Sequence, residues 1–122
     1  MQIIKIENQT HPLTTPIQAG YCTGFWDRFK GLMFRGQIAE DEGLLLVDPV
    51  DNRVNTAIHM FFMKFDIAAI WINSMNLVVD VRHAVRWNPF YAPSRPARFV
   101  LEAHTSQLKN FQPGDTVTFK NA

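Results

Sequence analysis

The sequence predicts a single, mainly β domain over residues 1–122, shaped as a compact β-sandwich or barrel with one or two short helices. Three observations favour this class. Short runs of alternating or β-branched residues recur along the chain, turns rich in proline, glycine and asparagine separate them, and only one short segment shows clear helical spacing. Hydrophobic residues make up 47% of the chain, so the domain can bury a core without a metal or a disulfide.

Strands are predicted where a short apolar or alternating run ends in polar turn residues. These segments are residues 2–8, 17–23, 44–48, 77–87, 98–104 and 116–120. Pro12 and Pro16 lie between the first two and mark a turn or a sheet edge, because proline cannot donate to a β-ladder. Many short strands joined by such turns are typical of a sandwich or barrel.

A short amphipathic helix is predicted within residues 25–35, with Gly31 near its end. Its helically spaced apolar residues are Phe25, Phe29, Leu32 and Met33. Arg28 and Arg35 would lie about two turns apart on nearly the same face. Each arginine could tie the helix to a loop carboxylate among residues 40–42, which is the favoured interpretation. Together they could instead form a double fork for a carboxylate or phosphate ligand.

The stretch AIHMFFMKFDIAAIWI, residues 57–72, is apolar on both faces, so its pattern alone fits either a helix or a strand. A pair of strands broken at residues 64–66 fits both its length and its charges. Lys64 and Asp66 share a face of an extended chain, whereas His59 has the opposite parity. Lys64 and Asp66 form either an exposed ion pair at a strand break or, together with His59 and Glu102, a charged cluster that lines a cleft.

The segment from residue 87 to residue 98 combines three prolines with aromatic and basic side chains. Trp87, Phe90 and Tyr91 could form a stacking platform for a sugar or another apolar-faced ligand, and Arg95 and Arg98 could hold a polar group. The alternative is that the aromatic rings cap one end of the sandwich.

Composition excludes several classes of function. A net charge of +1 gives no electrostatic basis for binding nucleic acid or an anionic membrane. One cysteine, no signal peptide and no membrane span indicate a soluble, cytoplasmic protein.

The four histidines are scattered, so neither a metal nor a cofactor is predicted. No nucleophile motif or phosphate loop is present, which favours a binding domain over an enzyme.

Five motifs occur in one order: RFKGLMFR, EDEGLLLV, IHMFFMKFDIAAIWI, FVLEA and PGDTVTF. In these motifs the chain resembles the domain of unknown function 192 family of prokaryotes, over about residues 15–119. The resemblance implies a compact β-sandwich-like domain, and it favours two strands over one helix in residues 57–72. Family members usually carry an aspartate at the position of Ala68, two residues after a proline. Here Asp66 occupies the proline position, which leaves open whether it replaces that aspartate.

Three functions follow as hypotheses. The preferred one is binding of a small molecule, anionic or a sugar, in a cleft lined by basic and aromatic residues. The candidate ligand-binding residues are Arg28, Arg35, His59, Lys64, Asp66, Trp87, Tyr91 and Glu102. The second is an enzyme that uses Lys64, Asp66 and His59 for proton transfer. The third is a protein-interaction module that uses the aromatic loop 87–91. A monomer or a weak homodimer is expected.

Overall fold

A seven-stranded mixed sheet forms the domain, as expected for the mainly β class. The computed structural model describes residues 1–122 except for the side chain of Phe25, so this predicted apolar position of the helix lies outside the described part. The strands are β1 (Ile3–Asn8), β2 (Ile17–Cys22), β3 (Glu42–Asn52), β4 (Ile67–Ile72), β5 (Val78–Ala84), β6 (Ala97–Ala103) and β7 (Val117–Asn121). Their order across the sheet is β5-β4-β6-β3-β2-β1-β7. Only the pair β2–β3 is parallel among these neighbours.

The sheet curls until its two ends meet. Leu77, just before β5, forms an isolated bridge with Thr116, just before β7. The backbone N–H of Val78 donates to the carbonyl of Asp115 at 2.8 Å, and the N–H of Gly114 donates back to the carbonyl of Val78 at 2.8 Å. These bonds close the single sheet in a barrel-like way. The closed sheet has an enclosed inner face and an outer face.

Both faces of the sheet are covered, which explains the long apolar run. In β4, Ala68, Ile70 and Ile72 belong to the inner core, to which every strand contributes. Their neighbours Ile67, Ala69 and Trp71 belong to a second core on the outer face, completed by residues from the loops. All six side chains are buried, so the polar alternation that identifies a half-exposed strand is lost.

Only the last six residues of the stretch 57–72 form a strand. Residues 57–66 form turns and irregular chain with one bridge, between Ile58 and Tyr91, so the prediction of a first strand there was wrong. Met60 and Met63 still contribute to the outer core. The indole N–H of Trp71 donates to the carbonyl of Thr56 at 2.7 Å and ties this covering loop to the sheet.

Two short helices complete the fold: α1 (Phe25–Lys30) and a 3-10 helix (Thr105–Asn110). The first is shorter than predicted because Gly31 adopts φ 47°, which ends the helix. Arg35 therefore lies beyond the helix, and the prediction that it shares a helical face with Arg28 was wrong. Two short helices agree with the predicted one or two, although the position of the 3-10 helix was not predicted. No helix in the described part of the chain is both long and apolar enough to cross a membrane.

Candidate functional site

A cavity of about 220 Å³ lies between α1 and the outer face of the sheet. The helix and the turn after it contribute residues 28–33, and the loop before β4 contributes residues 55–59 and 63. Strands β3 and β6 supply the floor through residues 46–48, 100 and 102. Of the predicted ligand-binding residues, Arg28, His59 and Glu102 are brought together here.

Glu102 is a buried carboxyl group in an otherwise apolar part of the sheet. Alternation along β6 places it on the outer face, where its cross-strand neighbours are Leu44 and Ala69. The residue is 5% exposed, and its Oε1 atom has no hydrogen-bond partner among the described residues. Burial raises the pKa of Glu102 to about 7, because an apolar environment disfavours the charged form. Near neutral pH the group is therefore present in both protonation states.

Gly31 covers this carboxyl group directly. A Cβ atom built on Gly31 would lie 2.9 Å from Oε1 of Glu102, closer than a side-chain carbon can approach. The positive φ of Gly31 also disfavours any other residue. A glycine at this turn therefore lets the end of α1 approach the buried carboxyl group.

Arg28 lies at another wall of the cavity and neutralises a buried aspartate. Its Nη1 donates to Oδ1 of Asp48 at 2.7 Å and to the carbonyl of Val47 at 3.3 Å. Asp48 is 3% exposed and also accepts from Nδ2 of Asn52 at 2.8 Å. The Nε atom of Arg28 is buried and has no partner in the described part of the structure. Sequence reasoning missed Asp48, whose signal is the aspartate that ends the apolar run LLLVD.

His59 supports the cavity wall through both ring nitrogens. The backbone N–H of Phe61 donates to its Nδ1 at 3.2 Å, so the hydrogen of the neutral ring is on Nε2. That atom donates to the carbonyl of Phe29 at 2.9 Å, and the two rings pack with centroids 4.8 Å apart. His59 thus fixes the end of α1 against the covering loop.

Lys64 and Asp66 do not form the predicted ion pair. Asp66 accepts from the backbone N–H of Arg86 at 3.0 Å and contacts Nε2 of His83 at 3.0 Å. The bond from the Arg86 backbone, followed by the bond from His83, lowers the pKa of Asp66 despite partial burial. Lys64 is exposed and makes no ion pair with any described residue. Neither residue is part of the cavity lining, so the predicted cluster of Lys64, Asp66 and His59 is not assembled.

The remaining predicted residues lie elsewhere. Arg35 donates to Oε2 of Glu42 at 2.7 Å at the surface. Glu42 is one of the predicted partners, but Arg35 lies beyond α1 and Glu42 begins β3, and Arg28 pairs with Asp48 instead. The Tyr91 hydroxyl accepts from the backbone N–H of Val85 at 3.0 Å. Trp87 is 55% exposed and packs on Phe62. Arg35, Tyr91 and Trp87 are outside the cavity lining, and their binding of a ligand stays a prediction.

The cavity lining contains no cysteine, since Cys22 lies outside it. The described residues contain no group of three histidine, cysteine or acidic side chains arranged to hold a metal. Cys22 is buried, and burial, followed by the negative charges of Asp27 and Glu102, raises the pKa of its thiol to about 11. A thiol with so high a pKa is a packing group rather than a nucleophile at neutral pH.

Comparison with known proteins finds related sequences without an assigned activity. The model of the DUF192 family, described as "Uncharacterized ACR", matches residues 2–119. A UPF0127 protein of Thermococcus gammatolerans is 39% identical over 97 residues, which are 78% of this chain and 61% of the relative. This chain therefore spans about three fifths of that relative. A UPF0127 protein of Pyrococcus horikoshii is 30% identical over 114 residues, 92% of this chain and 96% of its own length.

Two crystal structures share the fold. One, from Sinorhizobium meliloti 1021 and provisionally called a transcription regulator, has a TM-score of 0.84 at 20% identity and covers 97% of this chain and 92% of its own. The other, a protein of unknown function from Novosphingobium aromaticivorans, has a TM-score of 0.78 at 18% identity and covers 95% of this chain and 83% of its own. At these identities the likeness shows the architecture alone.

Proposed function

Because the chain belongs to the domain of unknown function 192 family, whose name carries no activity, we propose its function from the cavity: it binds a small, neutral, polyhydroxylated molecule. The observation that carries this proposal is a pair of unsatisfied buried atoms in residues that line one cavity, Nε of Arg28 and Oε1 of Glu102. Buried polar atoms are nearly always hydrogen-bonded, and each exception calls for an explanation. A bound ligand supplies one, provided that it reaches the two atoms. Both are closed to solvent and Gly31 lies over Oε1, so binding requires the turn after α1 to move.

The two atoms require different hydrogen-bonding partners, one an acceptor and the other a donor. Arginine Nε can only donate, while a carboxylate oxygen accepts. A hydroxyl group both donates and accepts, so a molecule with several hydroxyl groups can satisfy both residues at once. Phe29 and His59 add a wall of packed rings for the C–H face of such a molecule.

The charges of the cavity favour a neutral ligand over an anionic one. The lining holds two cations, Arg28 and Lys30, and two carboxyl groups, Asp48 and Glu102. Arg28 is already paired with Asp48 at 2.7 Å, so the cavity carries little net charge. An anion would also raise the cost of ionising Glu102. The cavity of about 220 Å³ is just below the roughly 300 Å³ at which sites for drug-sized ligands begin, which suits a monosaccharide or a smaller polyol.

The test is a thermal-shift screen of polyols and monosaccharides against organic acids and phosphates of similar size. A ligand at a hundred times its dissociation constant stabilises the fold by about 2.7 kcal/mol, which is a shift of several degrees for a domain of this size. We expect shifts from neutral polyhydroxylated compounds. A shift confined to anions, or none across the panel, would overturn the proposal.

Variants then locate the binding site. Arg28→Lys keeps the charge and removes the Nε donor, so we expect it to weaken the best ligand about tenfold by calorimetry, the equivalent of one lost hydrogen bond. Arg35→Lys is the matched control, because Arg35 is outside the cavity lining, and it should bind as the wild type does. Affinity should change with pH around 7 in the wild type and should lose that dependence in Glu102→Gln. Equal binding by both arginine variants would place the site elsewhere.

A second candidate function is acid–base catalysis on the same ligand. It rests on the place of Glu102 in the cavity lining, together with a pKa raised to about 7, at which a buried carboxyl group can both give and take a proton near neutral pH. Glu102 would take the role that the sequence assigned to Lys64, Asp66 and His59. Proton NMR in deuterium oxide tests it with a panel of aldoses and ketoses. Exchange of the C–H beside the carbonyl should occur with the wild type and be lost in Glu102→Gln.

A further inference from the structure

An exposed aromatic surface lies beside the cavity. We call this surface the aromatic patch. Its members, which are 41–75% exposed, are Trp26, Phe29, Phe34, Phe61, Phe62 and Trp87. The rings form two packed groups, which are adjacent because Phe61 of one group and Phe62 of the other are consecutive residues. Centroids are 6.3 Å apart for Trp26–Phe29, 5.3 Å for Phe34–Phe62 and 5.1 Å for Phe62–Trp87, and the ring of His59 lies 4.8 Å from Phe29 and 5.7 Å from Phe61.

Three residues of the patch are held in a backbone conformation that bulky side chains rarely adopt. The φ angles of Phe34, Phe62 and Trp87 are 66°, 60° and 69°. Residues in this region persist only where the surrounding structure fixes them, and they cluster at functional sites. Here backbone bonds fix them, from the N–H of Phe34 to the carbonyl of Phe62 at 3.1 Å and from the N–H of Trp87 to the carbonyl of Met60 at 2.7 Å. The three rings therefore hold fixed positions at the surface without a bound partner.

The exposed area suits a protein interface. Aromatic side chains present about 150–250 Å² each, so the exposed fractions of the patch amount to roughly 500–800 Å². Monomeric proteins rarely expose a contiguous apolar patch of more than a few hundred Å². A stable interface of standard size buries about 600–1,000 Å² on each partner. The patch is thus large enough to form most of one side of such an interface.

The charges around the patch indicate which partner it fits. Within two residues of a patch aromatic are Lys30, Lys64 and Asp27, together with three arginines that are already paired with carboxylates. Those pairs are Arg28 with Asp48 and Arg35 with Glu42, both at 2.7 Å, and Arg86 with Asp66 at 3.4 Å. An anionic bilayer or a nucleic acid requires an excess of positive charge, whereas this rim carries both signs. A rim of both signs around an apolar centre can pair with its own copy across a two-fold axis.

We propose that the aromatic patch is the interface of a homodimer of this chain. Because Phe29 belongs both to the patch and to the cavity lining, the second copy would lie beside the cavity. Trp87 and Phe62 are the expected centre of the interface, since buried aromatic residues dominate the binding energy of protein interfaces.

Sedimentation equilibrium from micromolar to millimolar protein tests this inference. The sharpest variants are Phe34→Asn, Phe62→Asn and Trp87→Asn, since asparagine tolerates a positive φ better than a bulky aromatic residue. These variants keep the backbone turn while they remove the ring. We expect a dimer for the wild type, a dissociation constant raised at least about 30-fold by Trp87→Asn, and monomers for the triple variant. Met75→Asn is the control, since Met75 is 74% exposed in a turn outside the patch, and it should dimerise normally.

Circular dichroism confirms that each variant is folded. If the asparagine variants do not fold, Lys64→Glu replaces them, because Lys64 makes no ion pair with a described residue and its charge lies at the rim. We then expect the dimer to weaken, and an unchanged or stronger dimer would count against the proposal. A wild type that stays monomeric at millimolar concentration would overturn the proposal. So would a dimer that tolerates these variants, or a monomer that binds anionic vesicles or single-stranded DNA through the patch.

Discussion

The buried carboxyl group of Glu102 should make the stability of the protein fall as the pH rises through neutrality. Its pKa moves from 4.5, the ordinary value, to about 7 in the folded state. The folded protein therefore binds more protons than the unfolded chain between these values, and the free energy of unfolding must decrease with pH across that window. Below pH 4.5 and well above pH 7 the two states titrate alike and this contribution is constant.

The size of the effect follows from the shift. One pKa unit corresponds to about 1.4 kcal/mol, so the stability lost between pH 4.5 and a pH well above 7 is about 3 kcal/mol. For a domain of this size that is roughly 10 °C in melting temperature. Glu102→Gln removes the titration while it keeps the shape of the side chain. We expect this variant to match the wild type near pH 4.5 and to be about 3 kcal/mol more stable at pH 8.5.

Urea denaturation of both proteins across this pH range measures the difference. Other carboxylates with lowered pKa values, Glu42, Asp66 and Asp115, make stability fall as the pH drops below about 4. They are present in both proteins, so they cancel when the two curves are subtracted. A difference that does not change with pH would refute the reasoning. It would mean that Glu102 is ionised at no cost in the folded state.

Two further predictions use matched pairs of residues. Gly31→Ala should destabilise the fold by about 1–3 kcal/mol, chiefly because alanine is strained at the φ of 47°, and its Cβ would also lie 2.9 Å from Oε1 of Glu102. Gly36 has no positive φ and no atom within 4 Å of an added Cβ, so Gly36→Ala should be neutral or slightly stabilising in the same thermal melts. Arg28→Ala should cost about 3 kcal/mol by urea denaturation because it leaves a buried aspartate without its cation, whereas Arg35→Ala, which breaks an exposed pair, should cost less than about 1 kcal/mol. Equal losses of stability in the two glycine variants would contradict the argument from strain. Equal losses in the two arginine variants would contradict the argument from burial.

The half-exposed strands were predictable because their polar and apolar residues alternate. β4 was harder: Ile70 faces the inner core and Trp71 the outer one, so burial on both sides removed the alternation. The loop before it misled the prediction for a related reason. Met60 and Met63 belong to a segment that covers the sheet, and a covering loop has the composition of a core strand. The end of α1 depended on the conformation of Gly31, for which the sequence carried only a weak signal.

The individual residues of the candidate site could be predicted from the sequence, but their meeting in one cavity could not. Arg28, His59 and Glu102 each stood out as a polar residue in an apolar context. Their meeting depends on the strand order and on the placement of α1 over the outer face, which join parts of the chain far apart in sequence. Asp48 was missed because an aspartate at the end of a strand also looks like a turn residue, and only the contact with Arg28 distinguishes the two.

The position of β1 has a consequence for synthesis of the protein. Ile6 pairs with Ile17 of β2 on one side and with Phe119 of β7 on the other. While the ribosome is still making residues 117–121, β1 has a free edge, and the contacts that join the two ends of the sheet cannot form. Pairings between such distant segments slow folding, and free strand edges favour association between nascent chains. Once β7 is in place, the same pairings cover that edge of β1.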